Sequence, residues 1–149
     1  MEKFKTIKVS ETVAEIEEKK SKFIGSIFYV ENEEQIKQFL ECTRQANKGA
    51  NHNCYAYRII LDGQVVERSS DDGEPSGTAG IQILNHIKGE ELYNVLVIVT
   101  RYFGGTLLGT GGLSKAYSEA TKEVINEATC VEKIEGYEME IQIEYRELR

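Results

Sequence analysis

The chain has 149 residues and a mass of 16.9 kDa, the length of one domain. Charged residues make up 29% and hydrophobic residues 40%, with a single proline, a balance that excludes disordered and collagen-like chains. The net charge of −7 argues against electrostatic coating of nucleic acid, and the longest strongly apolar run, Val95-Leu96-Val97-Ile98-Val99, is far short of the roughly 20 residues of a membrane-spanning helix.

In chain order, residues 12–16 alternate, with Thr12, Ala14 and Ile16 on one face, and residues 23–30 resume as a second strand, which predicts an opening hairpin. Asn32 and Gln35 form a capping box for a helix over about residues 33–47, with Ile36, Phe39, Leu40 and Thr43 at helical spacing. Residues 54–61 and 64–69 are β-rich and flank Asp62-Gly63, the signature of a type I′ hairpin. After Pro75, Ala79, Ile83 and Ile87 share one helical stripe that Gly89 can close with a left-handed cap. Residues 93–100 are almost wholly apolar and predict a strand covered on both faces. Leu113, Ala116, Tyr117, Ala120, Val124 and Ala128 then mark a helix over 113–128. The expected fold is α+β, a two-layer α/β sandwich with a mixed sheet.

Residues 131–149 stand apart: Tyr137, Met139, Ile141, Ile143 and Tyr145 alternate with polar residues as a half-buried strand whose apolar face needs covering, by the main sheet or by a second copy in a homodimer. Residues 1–48 carry no net charge, 49–130 carry −4 and 131–149 carry −3, so any basic surface is expected from the first third. The charged N-terminus has no apolar core of a secretory signal, and Cys42, Cys54 and Cys130 form no C-x-x-C pair, which suits a reducing, cytoplasmic setting.

Nine of the 13 glycines lie between Gly73 and Gly112, which concentrates the unusual backbone geometry in two loops that each open onto a helix. The first loop, residues 69–80, carries Asp71, Asp72 and Glu74. These carboxylates suit either a hard cation such as Mg²⁺ or an acidic turn that complements the positive end of the next helix. The second loop, residues 100–115, offers the backbone N–H groups of a helix start with Thr110, Ser114, Lys115 and Arg101, the ingredients of a phosphate cradle. It matches neither the Walker nor the dinucleotide fingerprint, and tight turns would demand the same glycines. His52 and Cys54 are too few for zinc, and Cys54 shares the parity of Ala56, as a core side chain would. Residues 112–116 miss the nucleophile elbow by one glycine. Tyr55, Tyr57 and Arg58 could stack bases, but they equally suit a half-buried strand.

Lys20-Ser21-Lys22-Phe23-Ile24-Gly25, the run from His52 to Arg58, the run from Ser70 to Gly80, Val99 to Gly105 and Gly109 to Leu113 resemble the IMPACT/YigZ family, in order, from about residue 12 to 130. The resemblance implies a ribosomal-protein-like βαβ fold shared with domain IV of elongation factor G and with GHMP kinases. It implies an N-terminal family domain over 1–130, with 131–149 as the linker and first strand of a truncated, ferredoxin-like C-terminal domain. Eukaryotic members regulate translation by protein binding, so the expected function is non-catalytic regulation of translation or stress responses through a protein, ribosome or nucleic-acid partner. The alternative is a phosphate- or nucleotide-binding enzyme that uses the second loop. The expected contact surface comprises His52, Asp71, Asp72, Glu74, Ser76 and Thr78, together with Arg101, Tyr102, Gly104, Gly105, Thr110, Gly111, Gly112, Ser114 and Lys115. No catalytic residue, metal, cofactor or membrane contact is expected. An opposite-charge pair between Asp71 or Glu74 and Arg101 is expected to join the two loops.

Overall fold

A computed structural model describes residues 3–9 and 11–134. The alternating stretch 137–145, and the dimer contact expected of it, lie outside these residues. Strands β2 (Thr12–Glu18) and β3 (Ser21–Tyr29) form the opening hairpin, and β4 (His52–Leu61) and β5 (Gln64–Ser70) form the second. Asp62 and Gly63, at φ 50° and 77°, turn the second hairpin as a type I′ pair. In the first, Lys19 and Lys20 occupy the same left-handed region without the help of glycine. Strand β6 (Val95–Tyr102) lies between β3 and β4, giving the order β2-β3-β6-β4-β5.

All four pairings in this sheet are antiparallel, which corrects the expectation of a mixed sheet. The hairpins join neighbouring strands, whereas the α1 and α2 crossovers link β3 to β4 and β5 to β6, strands of the same sense that lie one position apart with an antiparallel strand between them, so no parallel pair arises. A separate two-stranded ribbon joins β1 (Lys3–Ile7) to β7 (Cys130–Ile134), the two ends of the described chain. Residues 131–134 therefore pair with the N-terminus.

Helix α1 (Glu33–Ala46) starts at Asn32, whose Oδ1 accepts the Gln35 N–H at 2.9 Å, while Gln35 Oε1 accepts the Glu31 N–H at 2.7 Å, one residue earlier than a strict capping box. Helix α1 packs on one face of the sheet and helices α2 (Gly80–Gly89) and α3 (Gly109–Glu127) pack together on the other, so the sandwich has three layers and not the expected two. The chain leaves α2 through a positive φ at Glu91 and not at Gly89, and α3 begins four residues before the expected Leu113.

Strand β6 divides the core by parity. Val95, Val97 and Val99 meet Ile83, Ile87, Ala116, Tyr117 and Val124 under α2 and α3, whereas Leu96 and Ile98 join Phe28, Tyr57 and Ile59 under Ile36 and Leu40 of α1. Gly25 lets α3 approach β3 closely, since a Cβ there would lie 2.9 Å from the Ala120 carbonyl oxygen. Among the described residues no helix is long and apolar enough to cross a membrane.

Candidate functional site

The first glycine-rich loop follows β5 and folds back on the end of the sheet. Asp71 supplies the cap that the N-cap residue of α2, Ala79, cannot: Oδ1 accepts the N–H groups of Ala79 at 3.1 Å and Gly80 at 2.8 Å, and Oδ2 accepts that of Gly77 at 3.0 Å. An anionic acceptor at a helix start is favoured by both the free donors and the dipole. Asp72 turns the other way, its Oδ2 accepting the Asn53 N–H at 2.7 Å. Gly80 is required for close approach, because a Cβ would come within 2.7 Å of the Ser70 backbone.

Glu74 points inward and is buried. Arg101 Nη1, from the last turns of β6, donates to both of its oxygens at 3.0 and 2.8 Å, and the Tyr117 hydroxyl of α3 donates to Oε2. His52 Nε2 lies 3.4 Å from Oε1, and Nδ1 of the same ring lies 2.9 Å from the Asp72 carbonyl oxygen. The expected charge pair therefore forms, through Glu74, at one buried point where β4, β6, α3 and the first loop meet. The Arg101 guanidinium sits 5.6 Å from the Phe23 ring centre and 5.5 Å from that of Phe103, and Nη2 donates to Ser21 Oγ at 3.4 Å. Its buried Nε has no hydrogen-bond partner among the described residues.

The second loop is fastened to the first hairpin. Gly104 N–H donates to Ser21 Oγ at 3.2 Å, and a Cβ on Gly104 would fall 2.0 Å from the Lys20 carbonyl oxygen. Tyr102 donates to Asn47 Oδ1 at 2.7 Å, and Asn51 Oδ1 accepts the Phe103 N–H at 2.8 Å. Beyond Gly105, whose φ is 87°, the loop opens to solvent with Leu107 83% exposed. Thr110 and Gly111 are exposed in the first turn of α3, Gly112 and Ser114 are half-buried, and Lys115 is exposed in the second turn and not the first. Gly111 stands about 9 Å along the helix axis from Tyr117.

Chemically, this end is built of satisfied groups. Burial pushes the Cys54 thiol from 9.0 up to about 12, and Sγ donates to the Asp71 carbonyl oxygen at 3.1 Å, so the thiol stays protonated in neutral solution. Burial likewise raises Tyr117 far above the ordinary tyrosine range, which keeps its hydroxyl a donor to Glu74. Asp71, Asp72 and Glu74 face three different sets of partners, and among the described residues no group of three or more His, Cys, Asp or Glu side chains is arranged to hold a metal ion.

The structure thus gathers His52, Asp71, Asp72, Glu74 and Arg101. Thr78 is buried beside them, bonding the Pro75 carbonyl at 2.6 Å, while Ser76 is exposed. Among the described residues Thr110, Gly111, Gly112, Ser114 and Lys115 of α3 make no hydrogen bond or ion pair with the cluster; the link is Tyr117, which the helical spacing marked only as core. Ser21 and the buried pair Thr100–Asn53, joined at 2.8 Å, were also not anticipated as partners. Tyr55 and Tyr57 are sheet residues of the α1 face, not an exposed platform.

Fold and cluster together define an α+β sandwich whose glycine-rich end is organised around an internal carboxylate. The chain belongs to the IMPACT family: residues 19–125 match its Impact N-terminal domain. It is 40% identical over 119 residues to the IMPACT family member YvyE of Bacillus subtilis, covering 80% of this chain and 54% of that protein. A crystal structure of a hypothetical protein superposes with a TM-score of 0.82 at 35% identity, covering 89% of this chain and 65% of the other. The two-domain translational regulator Yih1 superposes with a TM-score of 0.55 at 31% identity, covering 79% and 47%. The chain thus spans about half to two thirds of the length of these relatives.

Proposed function

We propose that this domain is a non-catalytic regulatory module that binds a protein partner or the ribosome through the surface formed by residues 71–80 and 101–112. The observation that carries the reading is the division of labour at this end. Glu74 is engaged internally by Arg101 and Tyr117, whereas Phe103 and Leu107 of the same loops are 46% and 83% exposed. Exposed apolar side chains on a loop held by a rigid base suit recognition. The description of Yih1 as a translational regulator supplies the direction, translation control. The test is capture of the protein at native expression level, with and without nuclease, for wild type and Leu107→Asp. Recovery of ribosomal proteins or a translation factor that Leu107→Asp abolishes supports the reading. A substrate turnover lost in His52→Ala or Ser114→Ala would overturn it.

One observation favours a second reading, phosphate or nucleotide binding at α3. Leu108, at the helix start, provides no side-chain cap, so the first-turn N–H groups keep no side-chain acceptor from that residue. Titrating inorganic phosphate while following the Gly111, Gly112 and Ser114 amide shifts separates the readings: saturable shifts at millimolar phosphate support the second, and unmoved amides remove it.

A further inference from the structure

The two faces of the five-stranded sheet are unequally covered. Four strand spacings make the sheet about 19 Å wide, room for two helices packed about 10 Å apart. Helices α2 and α3 fill that width on one face. On the other face α1 stands alone, with Ile36 and Leu40 over Phe28, Tyr57, Ile59, Leu96 and Ile98 of β3, β4 and β6. The strip over β2 and the first half of β3 has no helix among the described residues.

Two adjoining cavities occupy that strip. One, of about 490 Å³, lies between Val13, Ile24 and Phe28 of the sheet and Phe39, Cys42 and Ala46 of α1. The other, of about 440 Å³, continues from Ile24 to Tyr102 and Phe103. Val13 is 51% exposed on its floor. Helix α1 turns an uncharged flank to the strip: Phe39, Cys42, Thr43 and Ala46 recur at helical spacing, while Lys37, Glu41, Arg44 and Gln45 point elsewhere on the helix and are exposed. Small residues on that flank permit close approach of a second helix. The rim is polarised, with Glu11 and Glu15 along the β2 side and Lys20 and Lys22 at the far end.

We propose that this strip docks an amphipathic α-helix of a partner protein, laid beside α1, with an apolar stripe over Val13, Ile24 and Phe39 and lysine or arginine residues along the flank facing Glu11 and Glu15. The width of the strip selects a helix, and the acidic rim selects its charge. The strip lies across the sheet from α2 and α3; its far end reaches Tyr102 and Phe103 of the second glycine-rich loop, but the stripe over Val13, Ile24 and Phe39 that carries the docking does not include that loop.

Cys42 provides a direct readout, since it is exposed in the strip while Cys54 and Cys130 are buried. The probes are three synthetic peptides: a leucine- and alanine-striped helix with lysine flanks, the same stripe with glutamate flanks, and the lysine version broken by two central prolines. At ten times its Kd the lysine peptide is expected to slow modification of Cys42 by a maleimide about tenfold, because only the free fraction reacts. It is expected to move the amide signals of Val13, Ile24 and Ala46, and to bind about tenfold more tightly than the glutamate peptide. Ala46→Arg, a change at an exposed position in the last turn of α1, abolishes the protection without unfolding the domain, and Leu107→Asp leaves it intact. Equal binding by the proline peptide would assign the strip to an added strand. A dimer that already shields Cys42 would assign it to a second copy. Either result, or absence of protection by all three peptides, overturns the proposal.

Discussion

Replacing Glu74 by leucine removes the acceptor that Arg101 and Tyr117 share, while keeping a side chain of similar volume. Arg101 is then left buried, with the Ser21 hydroxyl at 3.4 Å as its remaining hydrogen-bonded side chain and Nε still unpaired. Breaking a buried ion pair from one side costs about 3–5 kcal/mol, a large part of the 5–15 kcal/mol typical of a domain. With a urea slope near 2 kcal/mol/M, the midpoint is expected to fall by about 1.5–2.5 M. Tyr117→Phe removes one donor to the same carboxylate and is expected to cost about 1.5–3 kcal/mol. Because the cost of Glu74→Leu is mostly the stranded guanidinium, the double variant Glu74→Leu/Arg101→Met is expected to recover more than half of it. Equilibrium urea unfolding of wild type, Glu74→Leu, Arg101→Met, Tyr117→Phe and the double variant, with the slopes compared, measures each quantity. A Glu74→Leu loss below about 1 kcal/mol, or single-variant losses that simply add in the double variant, would refute the view that this carboxylate organises the end of the sheet.

The other predictions test neighbouring parts of the same end. Gly104→Ala places a Cβ 2.0 Å from the Lys20 carbonyl oxygen, whereas Gly111→Ala meets nothing within 4 Å. Thermal unfolding should show the first destabilised by about 3 kcal/mol and the second stabilised by about 0.5 kcal/mol through helix propensity, and equal effects would refute the contact. Asp71→Ala is expected to cost about 2 kcal/mol and to speed hydrogen exchange at Ala79 and Gly80, with Asp71→Asn restoring part of the loss. Cys54 titrates near 12 in the fold against 9.0 when unfolded, so its contribution is intact below pH 9 and falls as pH rises from 9 towards 12. The slope reaches about 1.4 kcal/mol per pH unit, and Tyr117 adds loss in the same direction. Urea unfolding between pH 7 and 10.5 checks this, and a Cys54→Ala variant with the wild-type slope would refute it.

The parts of this fold that were legible in the sequence are those whose cause is local. The Asp62-Gly63 turn, the Asn32 cap and the uninterrupted Val95–Val99 run each contain their own physical reason within a few residues. What could not be read there depends on partners far along the chain. Strand β1 has no clean alternation and exists because β7, more than 120 residues later, pairs with it. The sense of the sheet, antiparallel throughout, follows from how α1 and α2 return the chain and not from any strand pattern. Glycine was a poor guide to helix ends for the same reason: Gly89 lacks a positive φ, while Gly111 and Gly112 lie within the first turn of α3. At the candidate site, charge pattern alone paired the two loops. It could not choose between Asp71 and Glu74, because the choice is made by direction. Asp71 lies where three N–H groups of the α2 start converge, and Glu74, three residues on, is turned under the sheet end towards Arg101. Tyr117 completes that choice. Its spacing with Leu113, Ala120 and Val124 marks a core stripe, but it is the one member of the stripe with a hydroxyl, and a buried hydroxyl requires a partner. A buried tyrosine on α3 calls for an acceptor, and the fold supplies Glu74. That bond separates the carboxylate that holds this end together from Asp71, which caps α2, and Asp72, which accepts the Asn53 N–H of β4.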